Sequence, residues 1–351
     1  MRCWLKQWDN LPIVSTLPLD KMPRFISSLG LLAILLVSCS APATPTPAPT
    51  EMPVPIPTMT STPPPSPFII LAYATEGIVA DIIPYDKLTH INYAFLTPKE
   101  DGTFNPINNS WKLKQIAATG HTKNVKVLIS VGGWGWDKQF ETMAASPESR
   151  SAFVQNLKTF VDEYQLDGAD IDWEYPDAGD SSQHFLSLIQ ELRAALPDKL
   201  LTTAVVSYGD NALGIHPESF ELFDFINVMT YDGPDHGTME QFEKGLAYWT
   251  ERGLSKEKIV MGMPFYAHVK DSAGEGVTFA KLVQADPAAA QVDEFDYYGM
   301  TEVYNGIPTV QAKTRLALEK ASGVMFWALD HDTQGDLSLV NTIYQAAHST
   351  P

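Results

Sequence analysis

Eight short apolar runs, each followed by a segment of different periodicity, constrain the fold of this 351-residue chain more than any other feature. The runs occupy residues 68–73, 90–96, 125–131, 168–173, 200–207, 225–230, 259–265 and 323–328. They are rich in β-branched and aromatic residues, as strands are. Segments with helical spacing lie between them. In 147–164, Ser146 is placed to cap, Pro147 takes the first helical position, and Phe153, Val154, Leu157, Phe160, Val161 and Tyr164 fall on one face. Residues 184–196, 239–252 and 309–321 are further helix candidates. Eight β/α units in about 280 residues predict an α/β protein built as a (β/α)8 barrel. The alternative, a doubly wound open sheet, usually carries a glycine-rich phosphate turn after its first strand. Tyr73-Ala74-Thr75-Glu76-Gly77 is no such turn.

The content of 44% hydrophobic and 11% aromatic residues suffices for a large core. The net charge is −18. No Lys/Arg stripe exists to neutralise phosphates, which argues against a nucleic-acid partner. Cys3 and Cys39 are the only cysteines, so no disulfide staples the body of the chain.

The first 39 residues read as a targeting segment. Lys21 and Arg24 precede a thirteen-residue apolar run, 25–37, too short for a membrane span of about 20 residues. The run ends in Leu36-Val37-Ser38-Cys39, which is similar to the bacterial lipoprotein cleavage box; Cys39 is then the lipidated first residue of the mature protein. An ordinary signal peptide that happens to contain a cysteine is the alternative, and Met22 is placed to be the true start. Between Pro42 and Pro67, 11 of 26 residues are proline. Such a tract cannot bury apolar surface and predicts an extended linker over 40–67, with a reach of roughly 80 Å. The segment ahead of residue 67 carries a net charge of +1, so the body, 68–351, holds the whole acidic excess. The expected location is outside the cytoplasm, held at the membrane through the lipid alone or secreted, as a monomer.

One run is unusual. In Asp167-Gly168-Ala169-Asp170-Ile171-Asp172-Trp173-Glu174, the acids Asp170, Asp172 and Glu174 recur every second residue and so point one way in a strand. Ala169, Ile171 and Trp173 point the other way, and Trp173 reads as core. Like charges about 6.6 Å apart along a barrel interior raise one another's pKa, which a general acid needs near neutral pH. Glu174 lies at the C-terminal end of its strand, where barrel enzymes work. A solvated acidic edge is disfavoured by the apolar alternation. A calcium loop starting at Asp170 would want Gly and Glu where Tyr175 and Ser181 stand.

This octapeptide resembles the DGxDxDxE signature of glycoside hydrolase family 18, the chitinase family. Asn92-Tyr93-Ala94-Phe95, Ser130-Val131-Gly132-Gly133, Met229-Thr230-Tyr231-Asp232, Gly262-Met263-Pro264-Phe265-Tyr266 and Met325-Phe326-Trp327 are similar to its motifs on other strands. The resemblance implies retaining hydrolysis assisted by the substrate's own 2-acetamido group. It makes Glu174 the acid and base, Asp172 the partner of the acetamido N–H, Asp170 its proton partner, and Tyr231 a donor to the acetamido carbonyl. Trp327 becomes the floor of the −1 subsite, lined also by Asp232 and Met229. Tyr73, Phe95, Trp134 and Tyr175 are candidates for the cleft wall. Gly132 and Gly133 are read as close backbone approach to the site. No metal or cofactor is implied. Asp330-His331-Asp332-Thr333-Gln334-Gly335 is faintly like half a calcium loop, but its twelfth position is Asn341. The eight histidines show no ligand spacing and are expected to be structural or superficial.

Two departures stand out. Asp232-Gly233-Pro234-Asp235-His236-Gly237 lacks the aromatic residue that follows the sixth-strand motif in many chitinases, which leaves the shape of the +1 side open. The stretch 266–322 reads as a short connection without the α+β insertion that walls the cleft in processive members. An open groove and endo action are therefore expected on chitin or chitooligosaccharides. Alternatives are an endo-β-N-acetylglucosaminidase, a peptidoglycan-lytic enzyme or an inactive sugar-binding barrel.

Overall fold

The computed structural model describes residues 67–272 and 275–349. The cleavage box at Cys39 and the linker 40–67 lie, apart from Pro67, outside the described residues. Eight parallel strands close a barrel: β1 Ile69–Thr75, β2 His90–Leu96, β3 Lys126–Gly132, β4 Gly168–Asp172, β5 Leu200–Val206, β6 Phe225–Met229, β7 Ile259–Pro264 and, after four strands outside the barrel, β12 Gly323–Trp327. Each takes its sequence neighbour as partner, and β12 closes the ring between β7 and β1. The predicted runs match these strands to within two residues. The helices are α1 Ser110–Thr122, α2 Asp137–Ala145, α3 Pro147–Glu163, α4 Asp180–Ala195, α5 Met239–Glu251, α6 Phe279–Ala285, α7 Ile307–Lys320 and α8 Leu339–His348.

Local chemistry explains the boundaries. Ser146 Oγ accepts the Ser149 N–H ahead of α3, and Thr238 and Ser338 do the same for α5 and α8. On α3, Phe153, Val154, Leu157 and Val161 are buried, while Phe160 and Tyr164 are partly buried and stack on each other. Outward-facing strand residues such as Ile129, Ala169 and Ile171 join the helices in the larger core cluster. Trp173 is buried there as expected, stacked on Phe140 at 5.1 Å, and its Nε1 donates to Asp137 Oδ1 at 2.8 Å. A smaller cluster, with Leu71, Tyr73, Phe225, Met229, Tyr231 and Met325, fills the barrel interior.

The stretch 266–322 corrects the sequence reading. It holds β8 Tyr266–Val269, β9 Glu275–Thr278, β10 Glu294–Tyr297 and β11 Met300–Val303, a four-stranded antiparallel sheet in the order β10-β11-β8-β9, together with α6. An α+β insertion is therefore present. Its strands are four residues each, too short for a period of two to stand out from a loop. The faint calcium half-loop also has another role. All four hydrogen bonds to the Asp332 carboxylate come from the chain: the N–H groups of Thr333, Leu339 and Val340 and the Ser338 hydroxyl. Asp332 thus caps α8.

Candidate active site

The site is layered along the barrel axis. At its base lies Asp170, fully buried. Tyr73 Oη (2.9 Å) and Ser130 Oγ (2.8 Å) donate to its Oδ2, and Thr202 Oγ1 (2.6 Å) and Asn227 Nδ2 (3.2 Å) to its Oδ1. The register puts Ser130 and Thr202 beside Asp170 on the flanking strands β3 and β5. Burial raises the Asp170 pKa and these four donors pull it back.

Asp172 is the next residue up on the same face. Its Oδ1 is buried with no protein partner. Burial, then the charges of Glu174 and Asp170, push this carboxyl well above the carboxylate range. Glu174 stands just past the end of β4. Burial raises it to about 7, against a hydrogen bond from Tyr175 and with help from the charge of Asp232. Burial thus raises all three carboxyls of this strand, and the charges of its neighbours raise Asp172 further, in the direction its spacing predicts.

The loop after β6 supplies Tyr231 and Asp232, the latter at φ 62°. Tyr231 is nearly buried, with its hydroxyl 3.8 Å from Met325 Sδ. The Asp232 carboxylate lies 3.0 Å from His268 Nε2 and 3.6 Å from His236 Nδ1, and accepts a hydrogen bond from the Tyr266 hydroxyl. Partial desolvation alone would raise its pKa; the His236 and His268 rings and the Tyr266 hydroxyl around it outweigh that and hold it well below the usual range. His236 stacks on His268 at 3.8 Å. Ligand-capable atoms of Asp232, His236 and His268 fall within 4.8 Å of one another. Both His236 nitrogens are engaged, however. Nδ1 accepts the Asp232 N–H at 3.0 Å, and Nε2 lies 3.2 Å from the Tyr266 carbonyl. The cluster therefore reads as a hydrogen-bond network. His268 corrects the expectation of purely structural or superficial histidines: it lines the cavity and binds Asp232. It belongs to the insertion, so its spacing from other histidines carries no signal.

Above the acids opens a cavity of about 420 Å3. It is lined by Tyr73, Phe95, Trp134, Asp172, Glu174, Tyr175, Met229, Tyr231, Asp232 and Trp327, joined by Gly233, Tyr266 and His268. Every predicted site residue in the described region lines it except Asp170, which lies beneath. Trp327 stacks on Phe95 at 5.3 Å and tilts against Tyr73 at 5.7 Å, while Trp134 is 78% exposed at the rim. Gly132 and Gly133 have φ of 112° and 86°. A Cβ on Gly132 would lie 2.3 Å from the Asp172 carbonyl, and one on Gly133 2.6 Å from the Phe95 ring. The expected close approach is there, on left-handed backbone that glycine alone adopts without strain. Sequence reasoning missed Thr202, Asn227, Tyr266 and His268. Thr202 and Asn227 carried a signal as polar residues inside apolar strands, and Tyr266 as the last residue of the Gly262–Tyr266 motif, whereas His268 carried none.

Residues 69–332 match the model of glycosyl hydrolases family 18. The chain belongs to this family. A chitinase-like effector of Moniliophthora roreri is 30% identical over 58% of this chain, and a probable endochitinase of Caenorhabditis elegans is 32% identical over 51% of it. The chain spans 60% of the first relative's length and 36% of the second's. The crystal structure of a chitinase from Bacteroides thetaiotaomicron superposes with a TM-score of 0.71 at 31% identity, covering 81% of this chain and 97% of that one. The (β/α)8 fold of the family 18 chain thus agrees with that of its solved neighbours.

Proposed function

We propose that the protein is a retaining, endo-acting glycosidase that cleaves β-1,4-linked N-acetylglucosamine polymers, chitin and its oligosaccharides, with help from the substrate's acetamido group. The observation that carries this reading is that Asp172 and Glu174, two carboxyls whose pKa burial raises, line one cavity with Tyr231. Glu174 gives its proton to the leaving glycosidic oxygen while the acetamido carbonyl oxygen bonds to the anomeric carbon. The glycosidic bond breaks and an oxazolinium ion forms. Asp172 holds the acetamido N–H. The donors on Asp170 favour its anion, so the proton shared by the two rests on Asp172 in the free protein. Moving it to Asp170 as the cation forms leaves Asp172 as the counter-ion. Tyr231 donates to the acetamido oxygen. Glu174 then takes a proton from water, which opens the oxazolinium with retention.

Endo action has support from the surroundings. A hollow of about 620 Å3 shares Phe95 and Trp327 with the central cavity, and one of about 530 Å3 shares Gly233 and His268 with it. The three together suit a chain that enters and leaves. The insertion borders one arm of this groove through His268, Val269 and Glu294.

The test is product analysis by mass spectrometry after incubation with chitooligosaccharides, a high-mannose glycopeptide and peptidoglycan. Chitobiose and longer products from the first support the reading. Product from either of the others alone overturns the chitin assignment, and binding without product makes the barrel a sugar-binding one. We place the enzyme outside the cytoplasm on a lipidated Cys39; incorporation of a fatty-acid probe that disappears in Cys39→Ala is the expected result.

A further inference from the structure

The loop carrying Tyr231 and Asp232 is fixed from behind by a buried polar network. Gln241 in α5 accepts the Gly237 N–H at 3.0 Å and donates to the carbonyls of Tyr231 (3.2 Å) and Asp232 (2.9 Å). The other end is held by Lys313 in α7. Its Nζ donates to the Gly237 carbonyl at 2.6 Å and to Asn305 Oδ1 at 2.8 Å. Asn305 Nδ2 donates to the same carbonyl at 2.6 Å. Gly237 has φ 65°, and a Cβ there would lie 2.9 Å from Pro264, so this placement of the carbonyl calls for glycine.

Lys313 is the single buried lysine or arginine among the described residues. Within them it forms no ion pair; Asp293, the charge acting on it, spends its oxygens on the Gly306 N–H and the Thr309 hydroxyl. A buried amine without a counter-ion costs more than an apolar side chain of equal length, so packing alone does not account for it. What it supplies is directional. The two N–H groups of a neutral amine match the two acceptors, and the Phe242 ring lies 5.3 Å from Nζ. Burial lowers its pKa to about 7, consistent with that form.

We propose that Lys313 is a positioning residue for the glycosidase reaction: through the Gly237 carbonyl it fixes the loop that aims Tyr231 and Asp232 into the cavity. The proposal rests on the reading above that these residues serve cleavage of an N-acetylglucosamine polymer. Wild type, Lys313→Met, Asp232→Asn and the double variant are compared on a soluble chitooligosaccharide, with Tm measured alongside. Lys313→Met is expected to remain folded and to lose about tenfold to a hundredfold in kcat, with KM changed less than about twofold. In the Asp232→Asn background the same change is expected to cost less than about threefold, because the lysine acts through that loop. Lys313→Gln, which keeps an N–H donor, is expected to recover most of the loss. Additive losses in the double variant, or wild-type kcat in Lys313→Met, overturn the proposal. If the Met variant unfolds, Lys313→Leu, which also lacks a donor, takes its place in the cycle; unfolding of both assigns Lys313 to stability alone and also overturns it. Absence of product from wild type is a separate outcome, which removes the glycosidase reading itself.

Discussion

Glu174 sits at the mouth of its strand and Asp170 at its heart, and that difference in depth sets their chemistry. Glu174 is buried enough to hold a proton to about pH 7, yet it lines the cavity. A general acid with that pKa predicts kcat/KM falling about tenfold per pH unit above about 7, a limb that a pH–rate profile reads directly. Glu174→Gln keeps the shape, removes the transferable proton and is expected to lower kcat by about 10²–10⁴ while oligosaccharide binding persists. A variant that turns over at near wild-type rate overturns the acid assignment. At this scale the sequence was most informative for the acids, because the two-residue period states which way they point. It did not show that Tyr266 and His268 bond to Asp232, because those contacts cross from the insertion to the β6 loop.

At the scale of elements, boundaries were legible wherever an apolar run exceeded five residues or a cap was spelled out, as at Ser146-Pro147. The insertion escaped because four-residue strands such as Glu294–Tyr297 and Met300–Val303 bury little and alternate too briefly. Its strand β8 nevertheless places Tyr266 and His268 at the cavity. The turn after β3 makes the sharpest prediction. Gly133 has positive φ and sits against Phe95, which stacks on Trp327. Gly133→Ala is expected to destabilise the protein by more than about 1 kcal/mol and to displace the Phe95–Trp327 stack. Chemical denaturation and intrinsic tryptophan fluorescence check both; an unchanged midpoint and spectrum would count against the strain argument.

Over the whole molecule the buried acids shape stability. Burial raises Glu174 from 4.5 to about 7 and Asp332 from 3.8 to about 6. For both groups the folded state binds more protons than the unfolded chain across that interval. By linkage, their contribution is full below the unfolded pKa and is lost as pH rises through the folded one. These two groups pull Tm down between about pH 5 and pH 7.5, against His90 and Lys313, whose burial-lowered pKa values of about 4 and about 7 push it up. The Tm of Glu174→Gln minus that of wild type is therefore expected to grow over that range, and a difference that stays constant or shrinks contradicts this assignment. The acidic excess on residues 68–351 acts in the same direction as Glu174 and Asp332, since self-repulsion grows as carboxyls ionise.

The barrel and its acidic strand were legible along the chain. Both are written in local periods, two for the strands and 3.6 for the helices, which chemistry along the chain can express without reference to distant residues. The sequence also placed Glu174 at the C-terminal end of the barrel, and the resemblance to family 18 brought Asp172, Tyr231 and Trp327 to the same site. Which donors surround Asp170, how His268 reaches Asp232, and that a lysine in α7 stands behind the Gly237 carbonyl emerge only once the chain has folded. Those contacts join residues far apart in the chain. Burial and hydrogen-bond geometry select them after the fold has closed, and no local pattern encodes them.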